Sequence, residues 1–473
     1  MIEGPEVVII GGGISGLSVA WLLRRQGVDA LLLEKSESCG GAMKTVRKDG
    51  WLIEQGPNSV LETTPLFTMM FEGLGIAGER IYANPLASKR YIIRNGTPLA
   101  LPTSITEFFT TDLWSVAGKL RLLKEPFVGR AEKNESIAEF VERRLGREFL
   151  DYAINPFVAG VYAGNPEDLS VRAAFPKLYA LEENYGGLVK GMIRERKERG
   201  AHLERSKDRA RLFSFRQGME VFPAALARAM GGGIRNRCEI TDVRYGTEGE
   251  YEIHNVHEGE STVVQAPAVV LATPAHPAAR IVKGVSPAVS SRLEAVFYPP
   301  VGEVFFGFRQ DQIGRDLDGF GFLVPEKERR RILGTIWSSS LFEGRAPDGH
   351  VALTTFVGGA RQPGLMDLDD DRLRMLVLEE LHSLLNIAGE PVFTSITRWK
   401  KAIPQYNLGY EATLKAIDDC EAANPGLFFC SNFKGGIAVG DCIVNSEKTA
   451  TRILEHLSRI RRHTGKTIVG ADC

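Results

Sequence analysis

Hydrophobic positions at the start of the chain fall into two tight runs on either side of a helical repeat. Val7, Val8, Ile9 and Ile10 form a β-rich run and a glycine-rich turn follows at 11–16. Apolar residues then take helical spacing through Trp21, Leu22 and Leu23 to a stop at Gly27. Ala30, Leu31, Leu32 and Leu33 make a second buried run that ends on an acid, Glu34. The pattern predicts strand, helix and strand, one βαβ unit.

Helical spacing returns at 64–75. Residues 88–94 read as a strand, closed by a turn at Asn95 and Gly96 and followed by a second strand through Leu101. The stretch 104–181 turns helical; within it Ser136 and Glu139 form a capping box for a helix that Gly146 ends. Residues 155–166, small, glycine-rich and apolar, read as a loop lining a pocket. The charge run at 190–211 reads as a solvated helix or linker. Beyond it 219–230 is helical, and 234–245, 251–256 and 268–274 are strand-like. Alternation at 304–308, 319–324, 332–337 and 351–356 predicts an open, antiparallel-rich sheet suited to a large flat ligand. Helices are predicted at 370–385 and 446–457, the second after a glycine loop at 435–442.

The first turn carries chemistry. Gly11 permits the tight bend, Gly13 has no Cβ to block a pyrophosphate, and Gly16 lets the helix pack close to the strand. Gly12, Ile14 and Ser15 complete a helix start whose free N–H groups and positive dipole end suit phosphate. Glu34 can accept both ribose hydroxyls and argues against a 2′-phosphate. A second glycine pair, Gly40 and Gly41, follows the acid directly. An NAD dehydrogenase has no need of it, whereas FAD runs on past the strand ends and needs bare backbone there. The cofactor therefore reads as FAD. Backbone N–H groups at the start of the closing helix are placed to meet the N1–C2 oxygen side of a flavin.

Composition adds bounds. At 473 residues the chain suits two or three domains. A net charge of −1 gives no reason to expect nucleic acid. The cysteines have no paired spacing and read as reduced thiols in a cytosolic compartment, with no metal site. The sequence enters its first strand without a signal-like segment, and no apolar run is long enough to span a bilayer. At 104–128 Phe108, Phe109, Leu113, Trp114 and Val116 accompany Lys119, Arg121 and Lys124, a face that either lies in a membrane interface or packs as a buried helix. Arg90 by itself reads as a solvated strand arginine as readily as a ligand.

The stretches 11–16, 34–58, 88–91, 156–166, 333–347, 402–406 and 435–442 together resemble the FAD-dependent protoporphyrinogen oxidase family within the amine oxidase superfamily, over essentially the whole chain. The resemblance implies an α/β fold (α+β overall). It would comprise a FAD-binding Rossmann-like domain of the p-hydroxybenzoate hydroxylase type (1–86, 212–283 and 397–473), a mixed-sheet substrate domain (87–103 and 284–396) and a helical membrane-docking domain (104–211). It implies that Arg90 holds a substrate propionate, that Leu323 and Ile336 pack against one ring, that Phe356 lies on the other side of the tetrapyrrole and that Gly164 belongs to the pocket wall. For Leu323, Ile336 and Phe356 ordinary sheet core is the reading without it. Cofactor contacts are expected from Lys35, Ala42, Gly56, Pro57, Asn58, Ser59, Ile240, Trp399, Asn432, Ile437, Ala438 and Val439 as well. The family often has alanine or glycine where Asn432 stands.

The implied activity is six-electron oxidation of protoporphyrinogen IX to protoporphyrin IX by FAD and oxygen, in three rounds of hydride transfer from a meso carbon, with no catalytic acid or base assigned. Coproporphyrinogen III is the alternative substrate; a polyene desaturase, an amine oxidase and a flavin-free prenyl-binding protein are the other readings. The expected setting is cytoplasmic, peripheral on the cytoplasmic membrane, with a homodimer left open.

Overall fold

The computed structural model describes residues 4–131, 133–198, 210–246 and 250–463. The helix Leu188–Glu198 begins the charge run expected at 190–211; residues 199–209 of that run lie outside the described residues. Five strands form an all-parallel sheet in the order Ile234–Arg235, Ala30–Leu33, Val7–Ile10, Ala268–Leu271, Leu427–Phe429. Val7–Ile10, Ala30–Leu33 and Ala268–Leu271 are buried at every residue, because helices and a second layer cover both faces; this is why they read as unbroken apolar runs. Val7 and Ile9 face a core shared with the helices Ile14–Arg24, Leu66–Gly73, Val221–Met230 and Val439–His463. Val8 and Ile10 face a core that includes the antiparallel meander Cys238–Tyr245, Tyr251–His257 and Glu260–Ala266.

A seven-stranded sheet lies beyond it in the order Phe393–Trp399, Val301–Arg309, His350–Gly358, Gly334–Ile336, Gly319–Leu323, Lys89–Arg94, Thr97–Ala100. Every pairing is antiparallel except Gly319–Leu323 beside Lys89–Arg94. Asn95 and Gly96, at φ 51° and 74°, make the tight turn that their letters predict. Helix Asp370–Leu385 seals one face of this sheet, with Leu373, Val377 and Leu381 against Val304, Phe306, Phe322 and Leu353.

Several expectations change. Residues 155–162 are a helix, not a loop. Pro156 sits at its first turn, where a missing N–H costs nothing, and a π-helical turn at Leu150–Ile154 feeds into it. Its Gly160 carries no Cβ because one would lie 2.5 Å from the Leu323 side chain, so the small residues mark close helix-on-sheet packing. The closing helix begins at Val439, directly against the glycine loop, and not at Ser446. Strand Glu260–Ala266 was not expected; only Val264 and Ala266 are buried, and the exposed Val263 beside them breaks the alternation. Strand Phe393–Trp399 crosses the boundary drawn at 396/397, and helix Pro287–Glu294 packs into the cofactor-side core although 284 was placed in the substrate domain. Leu113 and Trp114 are core residues: Trp114 stacks on Phe149 with centroids 4.5 Å apart. A membrane face cannot use them.

Candidate functional site

The glycine turn folds as a cradle. Gly11 has φ 110°, reachable without strain only by glycine, and a Cβ on Gly16 would sit 1.9 Å from the Gly11 carbonyl. Nothing lies within 4 Å of the place where a Cβ on Gly13 would project, so the space before the helix start is open. Gly41 closes the opposite wall, its own missing Cβ only 3.1 Å from the Gly13 Cα, and Gly56 in turn approaches the Ala42 carbonyl too closely for any side chain. Gly40 N–H donates to the Gly12 carbonyl at 2.8 Å. Thus 11–16, 40–42 and 56 converge in space, with Pro57, Asn58 and Ser59 continuing from the last; the Asn58 amide folds back on the Gly56 carbonyl at 3.0 Å.

Glu34 stands at the end of its strand with each carboxylate oxygen accepting one backbone N–H, from Gly12 at 2.6 Å and Ser36 at 2.8 Å. No side-chain cation pairs with it among the described residues, so its remaining lone pairs are free for ribose hydroxyls. Lys35 is turned away to Glu239 at 2.6 Å, which brings the strand carrying Ile240 alongside the acid. On the far side of the cradle Ser446 on the closing helix donates to the Ser15 carbonyl at 3.1 Å and fixes the two helix starts together. Ile437, Ala438 and Val439 lead into that start, and the Tyr406 hydroxyl shapes the approach by donating to the Asn432 carbonyl at 2.5 Å. Open space beside bare backbone, an uncompensated acid at ribose distance and a second helix start together fit FAD. When bound there it would supply an acceptor for two electrons.

Strand register places the remaining residues. One row across the seven-stranded sheet reads Ile92, Leu323, Gly334, Phe356, Glu303, Thr397; the adjacent row reads Arg90, Gly321, Ile336, Thr354, Phe305, Ser395. Arg90, Leu323, Ile336 and Phe356 therefore share the face opposite helix Asp370–Leu385. Leu323, Ile336 and Phe356 are only half buried there, while Phe322, Thr335, Thr355 and Val357 on the sealed face are fully buried. Ordinary sheet core would bury both sets alike. Lys89 and Arg94 on the same strand pair with Asp318 and Glu148, whereas Arg90 makes no ion pair among the described residues and lies exposed over the Phe320 ring. A Cβ on Gly164 would meet the Gln405 side chain at 2.1 Å, so it packs closely against 402–406, and its neighbour Ala163 belongs to the cluster that Phe356 adjoins.

Two clamps join sheet and cradle. Trp51 packs over Gly307, where a Cβ would lie 2.3 Å from its ring, between Phe305 and Phe393. Trp399 donates its indole N–H to the Gln55 carbonyl at 2.8 Å, one residue before Gly56, and lies 3.2 Å from Glu303 Oε1. Sequence reading passed over Glu303. Burial pushes its carboxyl up to about 8, partly offset by the Trp399 hydrogen bond. Burial likewise pushes Glu54 up to about 7 against the Thr45 hydroxyl and the nearby Arg345 guanidinium. A lone glutamate inside the run Val301–Arg309 was the only available signal.

Comparison with known proteins gives a consistent picture. A family described as flavin containing amine oxidoreductase matches residues 14–454. Protoporphyrinogen oxidase 2, chloroplastic/mitochondrial, of Arabidopsis thaliana is 31% identical over 96% of this chain and 95% of its own. Coproporphyrinogen III oxidase of Bacillus subtilis is 29% identical over 97% of this chain and 100% of its own. A crystal structure from Exiguobacterium sp., provisionally assigned as a protoporphyrinogen oxidase, superposes with a TM-score of 0.79 at 24% identity, covering 96% of this chain and 100% of that one.

Glu34→Ala should weaken FAD binding about 10- to 100-fold, the loss of charge-assisted hydrogen bonds worth about 1.5–3 kcal/mol. Titrating flavin fluorescence into apoprotein measures it, and parental affinity would show that Glu34 does not hold the ribose.

Proposed function

The chain belongs to the flavin-containing amine oxidoreductase family, and on that premise we propose that it oxidises protoporphyrinogen IX to protoporphyrin IX. The observation that carries this reading is the half-filled apolar face of the seven-stranded sheet with one unpaired cation, Arg90, at its rim. Leu323, Ile336 and Phe356 offer a flat apolar wall to a tetrapyrrole, and Arg90 offers a planar guanidinium to a propionate. FAD held by the cradle of 11–16, 40–42 and Glu34 would supply the two-electron acceptor for each of three rounds, with oxygen as the terminal acceptor. The protein's own contribution is to hold a large macrocycle in one orientation, which supplies much of the rate in such a design.

Coproporphyrinogen III is the second reading, favoured by the Bacillus subtilis relative's name. Its two further propionates call for further cations. Arg94, the next arginine on the face, is already held by Glu148 at 2.9 Å, and Arg309 at the far end by Asp311 at 3.1 Å. This supports protoporphyrinogen. Peripheral membrane attachment in the cytoplasm is proposed through a different set from Leu113 and Trp114. Ile105, Phe109, Val116, Leu120, Leu123 and Phe127 are all exposed on the short helices of 105–127, beside the exposed Lys124. No described helix is long and apolar enough to cross a bilayer.

Porphyrin fluorescence, followed with each porphyrinogen in turn, tests the substrate; a much higher kcat/KM on coproporphyrinogen overturns the choice. Arg90→Ala should lower kcat/KM by about one to two powers of ten, mainly through KM, because anchoring binds ground and transition states alike. Arg90→Lys should recover part of it. Parental kinetics at limiting substrate would make Arg90 an ordinary surface residue. In flotation with anionic lipid vesicles, Phe109→Ser combined with Phe127→Ser should release the protein without lowering its Tm; unchanged flotation removes this patch as the docking face.

A further inference from the structure

The geometry points to Glu303 as the proton acceptor of the reaction, the group that takes the pyrrole N–H proton of the macrocycle in each round. The inference rests on the porphyrinogen reading above and adds to it a residue with a chemical role. Glu303 is the only carboxylate that the seven strands place on the ligand-facing side of the sheet. It is the register neighbour of Phe356, in the same row as Leu323. It stands four strand steps from Arg90, roughly 19 Å at the usual spacing between strands. A substrate carboxylate at Arg90 thus leaves the body of the macrocycle over the apolar residues between, with its far edge toward Glu303.

A second observation is independent of that placement. Glu303 is 6% exposed, and although Oε1 receives the Trp399 N–H, Oε2 is buried with no hydrogen-bond partner. A buried carboxyl oxygen left alone is costly unless something else meets it. The partner absent from the chain is a hydrogen-bond donor at the seam between the substrate face and the Gln55–Gly56 segment, and a pyrrole N–H is such a donor. The other side chains in the two rows near it, Phe356, Thr354 and Phe305, cannot take a proton at ordinary pH.

The chemistry balances. In each round the meso C–H bond breaks with both electrons and its hydrogen passing to the flavin ring. The pyrrole N–H bond breaks with its electrons kept by the macrocycle and its proton passing to the Glu303 carboxylate. Three such rounds leave one meso carbon with a hydrogen too many and one nitrogen with a hydrogen too few, and transfer of that proton from carbon to nitrogen within the macrocycle completes the porphyrin. Oxygen then removes two electrons and one proton from the cofactor, and the proton on Glu303 supplies the second, giving hydrogen peroxide and restoring the carboxylate. The charged groups around Glu303 allow this cycling: Glu54, on the strand packed against it, is the only one that acts on it, and it disfavours the ionised form, while Trp399 favours it. Burial is the largest influence and raises the carboxyl to about 8, which keeps it close to balance between its two forms.

Glu303→Gln tests the assignment, since the amide oxygen can still accept from Trp399. The parent's kcat/KM should rise with pH through about 8, as the acceptor ionises. The variant should lose that limb and about 10²-fold or more in kcat, with KM little changed. A readout apart from turnover comes from stability. The carboxyl is held neutral in the folded state, so its contribution is full below the ordinary carboxylate range and is lost as pH rises through about 8. The Tm of Glu303→Gln should therefore gain on the parent's steadily from about pH 5 to about pH 9. A variant that keeps parental kcat and the pH limb overturns the assignment, as does a Tm difference that ignores pH. Should Glu303→Gln fail to hold its flavin, Glu303→Asp takes its place: a retained limb at lower kcat supports the carboxyl, and a flat profile overturns it. A parent that oxidises neither porphyrinogen overturns the function and this role together, whereas failure of the variants alone removes only Glu303.

Discussion

Trp399 donates one N–H toward two acceptors, the Gln55 carbonyl and Glu303, and the relation between the two halves of the protein depends on that arrangement. The ligand face of the seven-stranded sheet is left half filled. An apolar surface in that state would ordinarily collapse against whatever lies over it. Rigid contacts at one end prevent this. Trp51 is wedged at Gly307, with Phe305 and Phe393 around it, and the indole of Trp399 ties the last strand to the segment entering Gly56. Trp51 comes from the strand that leads into the cradle and Trp399 from the edge strand of the sheet, so the spacing between sheet and cradle is set by packed aromatic rings and a hydrogen bond. Reaction across a seam needs that kind of precision, because a shift of about 1 Å in reacting groups is costly.

The legible parts of this sequence were those in which local pattern and tertiary role agree. The runs at 7–10 and 30–33 are buried on both faces, which is what an unbroken apolar strand signals, and Gly11, Gly16 and Glu34 do in three dimensions what their spacing requires. The hairpin at Asn95 and Gly96 and the helix Asp370–Leu385 followed from turn chemistry and period alone. Legibility failed where a residue's letter serves a distant neighbour. Gly160 reads as a loop glycine but exists for Leu323, and Gly164 for Gln405. Leu113 and Trp114 read as part of an amphipathic face, yet Phe149 and Ile92 bury them, so the exposed apolar residues are others in the same stretch. Glu303 gave almost no signal, since a single acid within a hydrophobic run fits either sheet face, and only the register shows which.

Under the proposed function, charge over this face of the sheet divides recognition from chemistry. Arg90 lies exposed at the rim, where water screens it and where a carboxylate can reach it without being wholly dehydrated. Glu303 lies at the opposite end, dry, with its ionised form disfavoured by burial, while the apolar residues between them are only half buried. A cation in Glu303's position would pull a propionate inward and turn the macrocycle end for end. Under the proposed reading, the carboxyl there offers a propionate no cation and leaves an oxygen that only an N–H can meet. On that reading the two residues favour one binding direction, with a cation at one end and only a hydrogen-bond acceptor at the other, and the apolar side chains of Leu323, Ile336 and Phe356 need contribute only area. Orientation of a nearly symmetric ring is hard to obtain from hydrophobic contact, which has no direction; in the proposed reading it follows from two side chains four strands apart.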